Sequence, residues 1–186
     1  GRNKHHLEYW IDYDISKEAV IAKSHFGYVA SEPICYENMT GYEYLEFVAS
    51  VYKISEGEFV QNYQYLAKRL DLKEEQLNQY VSSYSHGMKQ KIALIAALAH
   101  NPKVLIMDEP FVGLDPKAVY DMKEIMRDMA KDGKTIFFST HILDVAEKLC
   151  DRVAIIKDGT IVKVGKMKDI KGDESLEQVF LELGEK

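Results

Sequence analysis

A short, unbroken apolar run that ends in two carboxylates constrains the fold of this chain more than any other feature. The run spans residues 104–107 (Val-Leu-Ile-Met) and is typical of a parallel strand that is buried on both faces. Asp108 and Glu109 follow it directly. A second apolar run, Thr135–Ser139, predicts another buried strand, and helical patterns lie between and after the two runs. Strands that alternate with helices predict an α/β fold built on a parallel sheet.

Helix start patterns place three helices before this region and one inside it. Thr40 and Glu43 form a capping-box pattern, Ser55 begins a second such pattern, and a third helix is expected over residues 85–100. Asp115 and the proline after it begin a helix between the two apolar runs. The face of that helix expected to be buried carries Val119, Met122, Ile125, Met126 and Met129. The middle of the chain is therefore expected to be a helical insertion in the α/β fold.

The remaining patterns complete the expected organisation. Residues 6–11 and 26–30 have strand patterns, and Asp158 and Gly159 favour a tight hairpin turn between two further strands. A final amphipathic helix carries Leu176, Val179, Phe180 and Leu183. We expect three regions: a remnant of an N-terminal β region (1–35), a helical subdomain (36–100), and an α/β core with a C-terminal hairpin and helix (101–186).

Composition limits the classes of protein to which the chain can belong. It has 186 residues, 46% of them hydrophobic, which suffices for one compact domain with a sizeable core. No apolar run approaches the ~20 residues that span a bilayer. The balance of 24 basic and 30 acidic residues, a net charge of −6, disfavours nucleic acid as the principal ligand. Cys35 and Cys150 lack metal-type spacing and are expected to be reduced thiols. We expect a soluble, cytoplasmic protein.

Several polar residues lie where a ligand of an α/β sheet would bind, although each has an ordinary structural explanation. Ligands bind beyond the carboxyl ends of parallel strands, where Asp108, Glu109 and His141 are expected. Taken singly, Asp108 and Glu109 would be part of a charged loop, and His141 would be a surface histidine. Asp115 and Ser85 are adequate helix N-caps. No single residue of this set identifies a function.

The order of these features along the chain is more informative than any one of them. The segment Tyr-Ser-His-Gly-Met-Lys-Gln at residues 84–90 precedes the strand and its carboxylates, and Gly-Leu-Asp-Pro at 113–116 and Ser-Thr-His at 139–141 follow. This ordered set resembles the ATP-binding subunit of ATP-binding cassette (ABC) transporters over roughly residues 6–183. It is most similar to bacterial subunits that serve separate, export-type membrane partners. The resemblance implies a P-loop NTPase-type sheet with an inserted helical subdomain that docks on a membrane-embedded transporter subunit.

The resemblance also implies how this chain would meet a second ATP-binding subunit. Ser85 and Gly87 belong to the signature motif, which contacts the γ-phosphate of ATP held by the opposite subunit. The amino end of the helix that follows them suits an anion. Asp115 matches the D-loop residue that communicates across the dimer.

Three further residues match the hydrolytic side of the family's site. Asp108 matches the Walker B carboxylate that orients Mg²⁺ through water, and Glu109 matches the general base that activates the attacking water. His141 matches the switch histidine that senses the γ-phosphate. ATP and Mg²⁺ are the implied cofactors, and the implied location is cytoplasmic, peripheral to the inner face of the cell membrane.

The chain departs from the family pattern in three places. The signature carries His86 and Met88 where Gly and Gln are usual, and Ser31 stands where the Q-loop glutamine is usual but is too short to reach a metal in the same way. The phosphate-binding loop G-x-x-x-x-G-K-[S/T] is missing. We therefore expect a fragment that begins downstream of that loop, binds ATP weakly, and does not hydrolyse it alone.

Two other functions stay open. A non-catalytic regulatory or interaction protein, encoded short, would retain only the signature side of the dimer. An in-frame glycine-rich loop upstream of residue 1 would favour the transporter subunit, and a start codon there would favour the regulatory protein. A DNA-repair or chromosome ATPase has related motifs, but the acidic charge and the lack of a long coiled-coil insertion between residues 31 and 85 argue against it.

The missing loop also predicts a gap in the sheet. In the family, the strand before the loop lies between the strands that match Thr135–Ser139 and residues 152–156. Unpaired central strands are costly because their backbone groups lose hydrogen bonds. We expect the gap to be closed by direct pairing of these two strands or by an inserted strand, with residues 6–11 of this chain or of a neighbouring chain as the expected insert.

Overall fold

The structure, a computed structural model, describes residues 17–184. These residues divide into two compact units, one that extends to Ser139 and one that begins at Thr140. The first contains most of the predicted site residues, so its architecture matters most for function.

A parallel three-stranded sheet forms the framework of the first unit. The strands β1 (Phe26–Val29), β2 (Val104–Asp108) and β3 (Thr135–Ser139) lie in the order β1-β2-β3. Both pairings are parallel, with Phe26 opposite Val104 and Val104 opposite Thr135. The central strand β2 is the buried one, as its apolar sequence predicts. The α/β class with a parallel sheet is confirmed.

Helices connect the three strands. They are α1 (Ala19–Ser24) before β1; α2 (Gly41–Val51), α3 (Glu56–Arg69), α4 (Glu74–Leu77), a 3-10 turn (Val81–Ser83) and α5 (His86–Leu98) between β1 and β2; and α6 (Pro116–Lys131) between β2 and β3. The helical insertion is confirmed, whereas α1 and α4 are too short to leave a periodic pattern in the sequence. None of the helices within residues 17–184 combines the length and the apolar character needed to cross a bilayer.

Side-chain caps fix the starts of the longer helices where the sequence predicts them. At α2 the capping box is closed, because Thr40 Oγ1 accepts the Glu43 N–H and the Glu43 carboxylate accepts the Thr40 N–H. Ser55, Ser85 and Asp115 each accept a backbone N–H in the first turn of α3, α5 and α6. These bonds satisfy donors that a helix leaves free at its amino end.

The core of the first unit is centred on α5. Ile92, Leu94 and Ile95 of this helix are 0% exposed. The helix passes so close to β1 that a Cβ atom on Gly27 would lie 2.4 Å from the carbonyl oxygen of Ala97. Only glycine fits at that position, and α5 is thereby held directly against the sheet.

The second unit is a hairpin with three short helices. It contains α7 (Leu143–Leu149), the antiparallel strands β4 (Arg152–Lys157) and β5 (Thr160–Lys166), α8 (Met167–Lys171) and α9 (Leu176–Gly184). Asp158 and Gly159 both have positive φ angles, 49° and 74°, as the predicted tight turn requires. A small apolar cluster that includes Leu176 and Val179 packs this unit.

Three burial predictions are wrong. The strand β3 is not buried: Phe137 is 64% exposed, because β3 pairs only with β2 within the described part of the chain and so forms an edge of that sheet. On α6, Val119 is only half-buried and Ala118 takes its place in the buried face. On α9, Phe180 is 42% exposed although Leu176 is buried, which narrows the apolar stripe of that helix.

Direct pairing across the predicted gap is not observed. Within residues 17–184, β3 pairs with β2 and β4 pairs with β5. The hairpin pairs one edge of β4 with β5 through a two-residue turn. The alternative insert, residues 6–11, lies outside the described residues.

Candidate functional site

One residue of the neighbouring strand binds the Asp108 carboxylate and the Glu109 backbone at the end of β2. Parallel pairing places Asp108 opposite Ser139. The Ser139 hydroxyl donates a hydrogen bond to Asp108 Oδ1. The Glu109 N–H donates to the same hydroxyl oxygen and to the Ser139 carbonyl oxygen, each at 3.2 Å. Ser139 thus connects both candidate catalytic residues.

Glu109 has an unusual backbone conformation. Its φ angle is +45°, in the left-handed region that side-chain-bearing residues rarely adopt. Such a conformation costs about 1–2 kcal/mol, so the surrounding hydrogen bonds must enforce it. The turn directs the two carboxylates differently: Asp108 is exposed, whereas Glu109 is half-buried and its Oε2 atom is inaccessible to solvent.

The segment after this turn contacts the start of α5. A Cβ atom on Gly113, whose φ is +73°, would lie 2.7 Å from Cδ2 of the His86 ring, and a Cβ atom on Gly87 would lie 3.7 Å from the Gly113 carbonyl oxygen. Two glycines and a histidine therefore bring the predicted signature and D-loop segments into contact. Ser85, beside this contact, is exposed and accepts the Met88 N–H at 3.3 Å.

Asp115 acts as the N-cap of α6. Its Oδ1 atom accepts the Ala118 N–H at 3.0 Å. This backbone hydrogen bond holds the pKa of the carboxyl group below its ordinary value, so Asp115 is ionised at neutral pH. The structural role predicted from the sequence is present, and the side chain is exposed.

Ser31 contributes its backbone rather than its side chain to the described contacts. Its carbonyl oxygen accepts a hydrogen bond from Gln90 Nε2 at 2.9 Å. Gln90 belongs to α5, and its side chain is 0% exposed. His141 belongs to the second unit, where it is exposed before α7. The first unit therefore groups Asp108 with Glu109, and Ser85 and Gly87 with the segment before Asp115.

Sequence reasoning missed Ser139 and Gln90. Ser139 was part of the Ser-Thr-His segment, but its contact depends on the register between β2 and β3, which the sequence does not reveal. Gln90 was part of the signature segment, but it stands between Lys89 and Lys91, so the sequence gives no signal of its burial.

The residues of the site fit Mg²⁺ only together with phosphate ligands. Within residues 17–184, no group of three or more His, Cys, Asp or Glu side chains is placed to hold a metal ion. Asp108 offers one exposed carboxylate at the end of a strand. Mg²⁺ is commonly bound by one or two carboxylates plus substrate phosphates and water, so one such carboxylate suits a metal that arrives with a nucleotide.

Sequence comparisons relate the chain to known proteins. Residues 41–146 match the family model described as "AAA domain, putative AbiEii toxin, Type IV TA system". An uncharacterized ABC transporter ATP-binding protein of Nostoc sp. is 37% identical over 157 residues, which are 82% of this chain and 46% of that protein. The ABC-type transporter ATP-binding protein EcsA of Bacillus subtilis is 34% identical, over 87% of this chain and 67% of that protein. The chain thus spans about half the length of the Nostoc relative.

Solved structures agree with the sequence relatives. The chain matches a structure described as the ATP binding subunit of an ABC transporter with a TM-score of 0.87 and 33% identity, over 92% of this chain and 73% of that one. It also matches an ATP-binding cassette in a dimeric, post-hydrolysis state with ADP and Pi, with a TM-score of 0.73 and 26% identity, over 84% of this chain and 68% of that one.

Proposed function

This chain belongs to the ATP-binding proteins of ABC transporters. We propose that it is part of an ATP-binding subunit that couples ATP hydrolysis to transport across a membrane. The observation that carries the proposal is the end of β2, where Ser139 holds Asp108 and Glu109 in different directions. Two adjacent carboxylates with different exposure suit two different tasks at one phosphate group.

Asp108 and Glu109 form the hydrolytic side of the proposed site. Asp108 would hold Mg²⁺ together with nucleotide phosphates, and the bound metal would neutralise charge that develops on those phosphates. Glu109 would accept a proton from the attacking water, a general-base role worth ~10²–10⁴-fold in rate. Its carboxylate is half-buried whereas that of Asp108 is exposed, so that each carboxylate suits a different task.

Ser85 and Gly87 form the side of the site that faces a second ATP-binding subunit. Ser85 caps α5, a helix of 13 residues, and the free N–H groups at its amino end favour an anion. The Gly113 carbonyl oxygen and Leu114 Cδ2 would lie 3.7 Å from a Cβ atom on Gly87, so this glycine lies against the segment that leads to Asp115. Asp115 would communicate across the same dimer from the adjoining segment.

Two further residues complete the proposed set. His141 would sense the γ-phosphate, as its place in the Ser-Thr-His segment suggests. Ser31 would line the nucleotide side at the position of the Q-loop glutamine, with its carbonyl oxygen engaged by Gln90. The chain by itself, without a phosphate-binding loop in its sequence, would bind ATP weakly and not hydrolyse it.

Mixing experiments test this function. The chain is combined with an intact ABC ATP-binding protein that carries a phosphate-binding loop, and association is followed by sedimentation velocity with and without ATP and Mg²⁺. We expect ATP-dependent heterodimers that Ser85→Arg weakens and that Ser82→Arg, a matched change at an exposed serine three residues earlier, leaves intact. Association that is equal with and without ATP would contradict the proposal.

An apolar groove suits the membrane-embedded partner. The groove has a volume of about 430 Å³ and lies between β1, α2, α5 and the segment of residues 30–37, here called the groove loop. Apart from Lys23, its lining is apolar and aromatic; Ile34 is 91% exposed and Tyr28 is 63% exposed. A contiguous apolar patch that is exposed in this way marks an interaction surface. We assign the groove to a short apolar segment of the transporter's membrane subunit, which would place the chain at the inner face of the cell membrane.

Membrane binding tests this assignment. The chain should co-sediment with membranes that contain the transporter subunit and not with protein-free lipid vesicles. Ile34→Glu should reduce that binding, whereas Val20→Glu, at an apolar residue that is 84% exposed and does not line the groove, should not. Equal binding to protein-free vesicles would refute the assignment.

A further inference from the structure

Gln90 is the one buried polar side chain of α5. It is 0% exposed, and the other buried residues of the helix, from Ile92 to Leu98, are apolar. Its Nε2 atom donates to the Ser31 carbonyl oxygen at 2.9 Å, while its Oε1 atom is buried without a hydrogen-bond partner among the described residues. A buried amide that is only half satisfied is less favourable than an apolar side chain of the same size. The hydrogen bond to Ser31 is the feature that an apolar residue could not supply.

Lys89, the residue before Gln90, holds the other end of the groove loop. Lys89 Nζ lies 2.6 Å from Glu37 Oε1, and the lysine side chain is mostly buried. Consecutive residues of α5 therefore bind Ser31 and Glu37, near the two ends of the groove loop. The backbone of the loop is also tied to the segment before α5, because Ser82 N–H donates to the Glu37 carbonyl oxygen at 3.2 Å.

The groove loop is also the most exposed part of the apolar groove. Pro33 and Ile34 line the groove, and they lie between the two residues that α5 holds. Ser85 caps the same helix five residues before Gln90, a distance of about 7.5 Å along the helix axis. A single rigid helix thus connects the groove loop with the signature residues.

We propose that Gln90 is a positioning residue whose amide fixes the groove loop on α5, so that a partner in the groove acts on Ser85 and Gly87 through this bond. The part of the proposal that concerns Ser85 and Gly87 rests on the proposed function. The bond itself does not, and it can be tested on the chain alone.

The rate of cysteine labelling in the groove loop reports whether the hydrogen bond from Gln90 to Ser31 holds that loop. Cys35 lies in the groove loop, and Cys150 lies in the second unit; both are free and half-buried, and burial raises the pKa of each thiol. Each thiol is labelled with N-ethylmaleimide and quantified by mass spectrometry, so that Cys150 serves as an internal reference. Gln90→Met keeps the side-chain size and the helix propensity but removes the donor.

We expect Gln90→Met to increase the labelling rate of Cys35 relative to Cys150 roughly three- to tenfold, the range for loss of one net hydrogen bond. Lys89→Met should act in the same direction. The control is Gln61→Met, the same substitution at an exposed glutamine of α3 in the same unit, which should leave the ratio unchanged. An unchanged ratio in Gln90→Met, or an equal change in Gln61→Met, would overturn the proposal.

A second measurement tests the connection to the signature. In the presence of an intact ABC ATP-binding protein, ATP and Mg²⁺, formation of the heterodimer should slow labelling of Cys35 in the wild-type chain and not in Gln90→Met. Heterodimers that form without any change at Cys35 in the wild-type chain would overturn the coupling. If no heterodimer forms, the proposed function fails, and the labelling ratio of the chain alone still decides whether Gln90 holds the loop.

Discussion

Glu109 offers a direct test of whether the candidate site contains backbone strain. Its φ angle of +45° lies in the left-handed region, and the Ser139 hydroxyl and carbonyl oxygens both accept its N–H. We compare Glu109→Gly with Glu109→Ala. Both substitutions remove the carboxylate, but only glycine adopts this φ angle without steric cost. The difference between the two variants therefore isolates the strain from the lost side chain.

The expected magnitude follows from two opposing terms. Relief of the left-handed conformation favours glycine by about 1–2 kcal/mol in the folded state. The greater freedom of glycine in the unfolded chain favours alanine by about 0.5–1 kcal/mol. Glu109→Gly should therefore be more stable than Glu109→Ala by about 0.5–1 kcal/mol. For a chain of 186 residues this corresponds to a Tm higher by about 2 °C.

Thermal and urea unfolding measure this difference, and two other positions calibrate it. Lys53, an exposed residue with a φ of +55° after α2, should also be more stable as glycine than as alanine. Gln61, an exposed residue inside α3, should show the opposite order, because alanine is the better helix former. If Glu109→Ala is the more stable variant while both calibrating positions behave as expected, the strain assigned to Glu109 is refuted.

Three further perturbations have defined outcomes. Ser139→Ala should lower the free energy of unfolding by about 1 kcal/mol in urea titrations and Ser139→Thr by less, since threonine retains the hydroxyl; equal losses would contradict the hydrogen-bonding role. Asp115→Ala should lower Tm by about 2–4 °C at neutral pH. Folding lowers the pKa of the Asp115 carboxyl group. Its stabilising effect is therefore present above the pKa of the unfolded state and is lost as the pH falls through the pKa of the folded state. The difference in Tm between the wild-type chain and Asp115→Ala should accordingly shrink in acid. Gly113→Ala should destabilise the chain more than Gly133→Ala, since both positions have positive φ but only Gly113 meets the His86 ring; calorimetry that finds the two equal would argue against that contact.

Features encoded by neighbouring residues could be predicted from the sequence. The cap at Thr40 and the turn at Asp158 depend on side chains within three residues of the backbone groups they bind or shape. The apolar run that forms β2 is equally local, and the two carboxylates that follow it lie at the carboxyl end of the strand. Parallel pairing then followed from the alternation of strands and helices.

Features that depend on distant contacts could not be predicted. The contact between Ser139 and Asp108 spans 31 residues, and that between Gln90 and Ser31 spans 59 residues. Both depend on register and on helix rotation, which a single sequence leaves open. The exposure of Phe137 has the same origin, because an apolar run predicts a strand but not which strands lie on each side of it.

The two missed residues share a property that explains their place in the site. Ser139 and Gln90 each join a predicted functional residue to a different element: Ser139 joins β3 to the carboxylates, and Gln90 joins α5 to the loop of Ser31. Side chains that act on phosphates must be oriented more closely than a loop alone can hold them, since misplacement by about 1 Å costs roughly 10²-fold in rate. Residues that would contact the nucleotide can be recognised from motif spacing. The residues that orient them must be identified from the fold.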